Sequence, residues 1–319
     1  MFGFFKRIRA ASSHGEEPSP KRASNITESP TPQASGLATE ADRGTMADLY
    51  STEGGTGMRI IADPEAPTLD IVFVHGLIGS RDKTWTHQNG FFWPDQLAKD
   101  IPYARIMTFG YDADVVKLWG QPGSNNIRKH GESLATAASD RRGKHRKRPI
   151  NFIAHGLGGL VCQQAVLICR EDQSNLVKVS ESTRGIIFMG TPHGGVGIAG
   201  WAYAFAKYFR PFRQVNSDIL VELGRDSQQL TAINQQFLKF LGRTDVNIYI
   251  YCFFEDKASV GVGKIVPESS AVLGQFQNQS INANHSDMVK FSGEYDGGYQ
   301  SVLSRVLDIV EYIDAKAAK

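Results

Sequence analysis

Between residues 57 and 319 the chain alternates short apolar runs, rich in β-branched and aromatic residues, with longer stretches whose apolar positions recur at helical spacing. Apolar runs without alternation suit strands buried on both faces, and helical stretches between them suit crossover connections. Strands are expected at Leu69 to His75, Ala104 to Phe109, Ile150 to Ala154, Gly185 to Met189 and Val246 to Phe254, each bounded by Gly, Pro or Asp. Helices are expected over Phe91 to Asp100, Asn125 to Ser139, Leu157 to Cys169, Ser217 to Leu241 and Gly298 to about Ala315. The pattern specifies an α/β fold: one doubly wound, mostly parallel sheet with helices on both faces, occupying residues 57–319.

The pattern stops before residue 57. From Ala11 to about Thr56 the chain is rich in Ser, Pro, Thr, Gly, Ala and Glu with almost no large apolar residue, and it cannot bury enough surface to offset its ordering entropy. Residues 1–56 therefore read as a disordered leader. Its first ten residues, Met1 to Ala10, mix aromatic and basic side chains with no acid before Glu16, which suits a mitochondrial presequence or a membrane-surface contact as well as an inert start.

Candidate chemistry sits where strands meet Gly-rich turns. The strand Ile150 to Ala154 runs through His155-Gly156-Leu157-Gly158-Gly159 into an apolar helix. This is the outline of a nucleophile elbow, in which a sharp strand-to-helix turn lifts its central residue above the sheet. Here that residue is Gly156, so the nucleophilic oxygen is missing. A Gly-rich turn in this position also reads as a phosphate-binding loop or a plain tight connection. The earlier strand favours the elbow, because it ends in His75-Gly76, where an H-G turn contributes a backbone N–H to an oxyanion hole. Leu77 and Leu157 are the candidate donors, and His75, Gly76, His155 and His193 are candidate pocket residues. Downstream come Glu255, then His285. Nucleophile position, acid and histidine thus follow the order of α/β-hydrolases, with His285 as base and Glu255 as the residue that orients it. Asp256 is the alternative acid, since adjacent strand residues face opposite ways.

With these residues in view, the chain resembles fungal α/β-hydrolases related to the serine-active-site-containing protein and to GPI inositol-deacylase-like lipases. The residues that carry the likeness are Val74-His75-Gly76-Leu77 with Trp85, Phe109-Gly110-Tyr111, the elbow at Ala154 to Gly159, Gly190-Thr191-Pro192-His193-Gly194-Gly195, Phe254-Glu255 and Asn284-His285-Ser286-Asp287. The resemblance implies a lipase or esterase pocket for a lipid or acyl ester, and a receptor-type partner carrying NACHT or ankyrin modules. It implies that His193 lines the pocket, while a local hydrogen bond explains a loop histidine equally well. Family elbows read H-S-L-G-G, so Gly156 departs at the nucleophile itself.

Composition narrows the remaining choices. The formal net charge of +2 over 319 residues gives no reason for a nucleic-acid partner. Three cysteines, Cys162, Cys169 and Cys252, form neither a disulfide framework nor a metal pattern. No cofactor is expected, and the setting expected is intracellular and cytoplasmic, with mitochondrial or endoplasmic-reticulum association where the amino terminus acts in targeting. The basic run Arg141 to Arg148 reads as exposed cations at a helix C-terminus, or as a polyanion patch. The aromatic segment Trp201 to Phe212 reads as a lid or as core packing. The function expected is that of a pseudoenzyme binding or signalling module; the alternative is an ester hydrolase in which His285 and Glu255 activate water, or recruit another nucleophile such as Ser80.

Overall fold

Strand and helix lengths follow the apolar runs closely. The computed structural model describes residues 55–77, 79–113, 126–171, 176–194, 204, 207 and 230–317. Its strands are β1 Gly57–Ala62, β2 Leu69–Val74, β3 Ala104–Gly110, β4 Ile150–His155, β5 Thr183–Met189, β6 Tyr249–Glu255 and β7 Gln277–Ile281. Its helices are α1 Trp93–Asp100, α2 Asn126–Arg142, α3 Gly158–Glu171, α4 Val177–Ser182, α5 over residues 230–241, α6 Glu268–Ala271 and α7 Gly297–Ala317, with a 3-10 turn at Lys83–Trp85. Apart from residues 55–56, 204 and 207, the leader and the aromatic segment lie outside the described residues, as do residues 217–229 of the expected fourth helix.

The sheet order is β1-β3-β2-β4-β5-β6-β7. Every neighbouring pair is parallel except β1 with β3. The chain steps from β2 to β3 on one side, then crosses back to put β4 on the other side of β2. Winding therefore reverses between β2 and β4, and the crevice outside their carboxyl ends is where such sheets bind ligands.

The central strands are buried on both faces, as their mostly apolar runs require: all six residues of β2 and of β4 are buried. On one face Val72, Val74, Phe152 and Phe188 pack beneath Leu134 of α2, Val161 and Cys162 of α3 and Phe237 of α5. On the other, Ile71, Phe73 and Ile187 meet Trp93 and Leu97 of α1 and Val302 and Val306 of α7. Trp93 also donates its Nε1–H to the Val289 carbonyl at 2.8 Å, tying the loop after β7 to α1.

Asp70, inside β2, is fully buried and gathers three guanidinium groups: Arg105 Nε at 2.9 Å, Arg142 Nε at 3.2 Å and Arg148 Nη1 at 3.0 Å. This corrects the reading of the basic run as wholly exposed. Helix α2 continues past Ser139 to Arg142, whose side chain is buried because Asp70 lies beneath it. Burial brings the Arg142 guanidinium down to about 10, against the opposing pull of Asp70.

Candidate active site

Strand β4 delivers the elbow. Gly156 follows it with φ of +52°, a left-handed conformation that glycine takes without steric cost, and its N–H bonds to the Met189 carbonyl at 2.9 Å. Gly158 opens α3 against the end of β2, so closely that a Cβ there would stand 2.3 Å from the His75 carbonyl oxygen. Small residues at the elbow are thus packing requirements, as the G-x-S-x-G device demands. Position 156 is different. A Cβ built on Gly156 would meet no described atom closer than His285 Nε2 at 3.3 Å, and Gly76 Cα would come next at 3.8 Å. The turn holds a positive φ there, and a side chain fits only if the His285 ring yields by a few tenths of an ångström.

His285 lies in the loop after β7, almost wholly buried, and Glu255, fully buried, closes β6. Their nearest approach is 4.0 Å, from His285 Nδ1 to Glu255 Oε1. That is beyond hydrogen-bond range, and His285 Nδ1 and Glu255 Oε2 are both without a hydrogen-bond partner among the described residues. Catalytic hydrogen bonds are often long without ligand. A neutral His285 with its proton on Nδ1 toward Glu255 leaves Nε2 bare toward position 156, the arrangement a general base needs. The Val266 N–H holds Glu255 Oε1 at 2.6 Å. Burial pushes this carboxyl up from 4.5 to about 7, the Val266 N–H pulling the other way. Asp256 is exposed and reaches Lys264 at 3.9 Å, so the alternation along β6 turns Glu255, rather than Asp256, toward His285.

The other nominated residues divide by location. His155 Nε2 donates to the His285 carbonyl at 2.9 Å and its ring centroid lies 4.7 Å from that of His285, tethering the histidine loop to the elbow. His75 stacks on Tyr111 at 4.4 Å; its Nδ1–H donates to the Gly76 carbonyl at 2.8 Å, and its Nε2 accepts the Tyr111 N–H at 3.3 Å. It shapes the turn that presents Gly76 and Leu77. The backbone N–H groups of Leu77 and Leu157 donate to no group among the described residues, which is the state oxyanion donors require.

His193 is not brought to this group. Gln163 of α3 lies 3.0 Å from its Nδ1, Cys252 Sγ lies 3.9 Å from its Nε2, and Phe188 packs edge-on at 4.6 Å. These partners belong to the α3 face of the sheet, and the local hydrogen bond is the observed alternative. Ser80 uses its Oγ to accept the Lys83 N–H at 3.1 Å, capping the 3-10 turn.

Gly190, named above only as part of the likeness, and Val266 have roles that no motif signals. A Cβ on Gly190 would stand 2.9 Å from His285 Nδ1, so this glycine makes room for the histidine ring. Val266, eleven residues beyond Glu255, supplies the acid's hydrogen bond. Neither carries a reactive group, so only the three-dimensional contact reveals its part.

The buried histidines give stability a pH dependence. Burial lowers His75 and His155 from 6.5 to about 4 and His193 to about 3, and holds His285 well below 6.5. The unfolded chain binds these protons more readily, so their contribution is fully present above pH 6.5 and is lost as pH falls through about 4. Glu255, raised in the fold, acts oppositely: its contribution is present below its unfolded value of 4.5 and is lost as pH rises through about 7. Four histidines outweigh one carboxyl. The urea midpoint is expected to be lower at pH 5 than at pH 7; an equal or higher midpoint at pH 5 contradicts this balance.

Solved structures similar to this fold include a lipase and an esterase. Lipase BlEst2 from Bacillus licheniformis matches with a TM-score of 0.55 and 17% identity, over 78% of this chain and 99% of that one. Esterase B from Lactobacillus rhamnosis, in an inhibited form, matches with a TM-score of 0.52 and 11% identity over 86% and 93%. At such identities the likeness establishes the α/β-hydrolase fold alone. Among curated sequences, human Protein SERAC1 is 28% identical over 248 residues, covering 69% of this chain and 36% of the relative. Bovine Protein SERAC1 is 26% identical over 266 residues, covering 75% and 38%. The chain thus spans under two fifths of these relatives, which are animal proteins rather than the fungal ones anticipated. Residues 67–239, more than half the chain and including both the His75 turn and the elbow, match the family described as "Putative serine esterase (DUF676)", and it is to this family of α/β-hydrolases that the chain belongs.

Proposed function

We propose that the chain is a non-hydrolytic member of the serine-esterase family, a binding or signalling module that holds a lipid or acyl-ester ligand where esterases cleave one. The observation that carries this reading is position 156. It has no side chain, while His285 Nε2 stands 3.3 Å from where one would begin. In a serine protease, loss of the nucleophile removes on the order of 10⁶ in turnover, leaving roughly 10³–10⁴ over water from the oxyanion hole and binding. Glycine at the elbow also removes the strain a serine bears at positive φ, so the substitution favours the fold while it abolishes attack. Three buried free cysteines suit a reducing, intracellular setting. A receptor-type protein partner remains part of the proposal on family resemblance.

A second reading has a specific observation in its favour. Nε2 of His285 faces position 156, where no side chain stands, and a water molecule held there would be activated for attack on an ester. Ester turnover by purified wild type and His285→Ala separates the two. The binding-module reading expects no turnover above a buffer control in either protein, with saturable retention of a fluorescent acyl ester in the wild type. Turnover in the wild type that His285→Ala abolishes would sink it in favour of the water-activating hydrolase.

A further inference from the structure

The amino ends of β2 and β4 form the pole of the sheet opposite the elbow, and this pole is strongly cationic. A depression of about 640 Å³ there is lined mainly by Lys144, His145, Arg146, Lys147, Arg148 and Lys178, with no acidic residue in its lining. Its shape is fixed from beneath. Arg142, held on buried Asp70, donates to the carbonyls of Arg146, at 2.6 Å, and of Arg148, so the loop that presents the cations is fastened to the core. Ser182 adds a hydrogen bond to the Arg146 carbonyl at 2.8 Å. Arg148 is committed to Asp70, and Lys178 to an exposed contact with Glu181. Lys144, Arg146 and Lys147 have no acidic partner among the described residues, and Arg146 Nε is buried without any acceptor among them.

Cations held together by a rigid loop repel one another, and the arrangement is relieved by a multivalent anion. A single carboxylate brings one charge. A phosphate monoester brings nearly two, with three strong acceptor oxygens matched to guanidinium and ammonium donors. The concavity has the volume of a small-molecule pocket rather than the extended face that a nucleic-acid duplex needs. We infer that this depression is a binding site for a phosphate-monoester group, carried by a soluble metabolite or by a lipid headgroup, separate from the esterase-like crevice and independent of whether that crevice is hydrolytic.

Calorimetric titration with pyrophosphate, using the full chain, tests the site. Saturable binding is expected in the wild type, weakened by about tenfold or more in Lys144→Gln/Lys147→Gln and unchanged in Lys239→Gln, a lysine elsewhere on the surface. All three positions are exposed, so these variants keep the fold, which equal urea midpoints verify. Flotation with vesicles distinguishes the sources. Recruitment to phosphatidic acid but not to phosphatidylserine, reversed by pyrophosphate, assigns a lipid headgroup; soluble binding without recruitment assigns a free phosphate ester. No saturable binding up to on the order of 10 mM, equal affinity in the double variant, equal weakening by Lys239→Gln, or an equal response to chloride would overturn the proposal.

Discussion

Replacing Asp70 by alanine is expected to destabilise the chain by about 3–5 kcal/mol, the cost of removing one partner from a buried ion pair, and more if the remaining cations cannot reach water. The carboxylate is fully buried and takes Arg105, Arg142 and Arg148 at 2.9, 3.2 and 3.0 Å. Alanine leaves three guanidinium groups with no counter-charge at the amino ends of β2, β3 and β4. Arg142, which also fastens the carbonyls of Arg146 and Arg148, has no route to solvent without unfastening that loop. Since whole domains are stable by only about 5–15 kcal/mol, the effect reads out as a large fall in urea midpoint or as loss of soluble protein. Arg148→Ala keeps the carboxylate paired twice over and is expected to cost much less. A midpoint for Asp70→Ala close to the wild type would show that the cluster contributes little.

Much of this architecture is visible in the amino-acid pattern. The runs expected at Leu69, Ala104 and Ile150 begin where β2, β3 and β4 begin, because strands buried on both faces cannot tolerate polar interruption. The run at Val246 begins three residues early: Val246 and Ile248 pack on the core from the connection rather than from the sheet. The two edge strands were not anticipated. Strand β7, Gln277–Ile281, is polar and exposed along four of its five residues, so it has no hydrophobic signal; backbone pairing to β6 alone defines it. Strand β1, Gly57–Ala62, is mostly half-buried and abuts the leader, where the pattern is weakest. The site divides on similar lines. Gly156, Glu255 and His285 could be nominated from strand ends and chain order, and β6 alternation decides between Glu255 and Asp256. The placement of His193 on the α3 face depends on Gln163 and Cys252, which no motif connects to it.

Gly156→Ser is expected to create a reactive serine. The new Cβ would stand 3.3 Å from His285 Nε2, a tight contact that the imidazole must relieve by moving a few tenths of an ångström, and the hydroxyl oxygen beyond it comes within reach of that ring. Positive φ costs a non-glycine residue about 1–2 kcal/mol, a modest destabilisation that the elbow of every serine esterase carries. Against this stands a potential gain approaching the ~10⁶ that a serine nucleophile contributes, reduced to the extent that the 4.0 Å separation of His285 and Glu255 fails to close around substrate.

On the proposed reading, an esterase site persists here that lacks only its nucleophilic oxygen. Intact-protein mass spectrometry after exposure to a fluorophosphonate tests it most directly, on wild type, Gly156→Ser and Gly156→Ser/His285→Ala, each verified as folded by its urea midpoint. No adduct is expected on the wild type, one phosphonyl adduct per chain on Gly156→Ser, and none on the double variant. A wild-type adduct that depends on His285, or a folded Gly156→Ser that remains unlabelled, would contradict it.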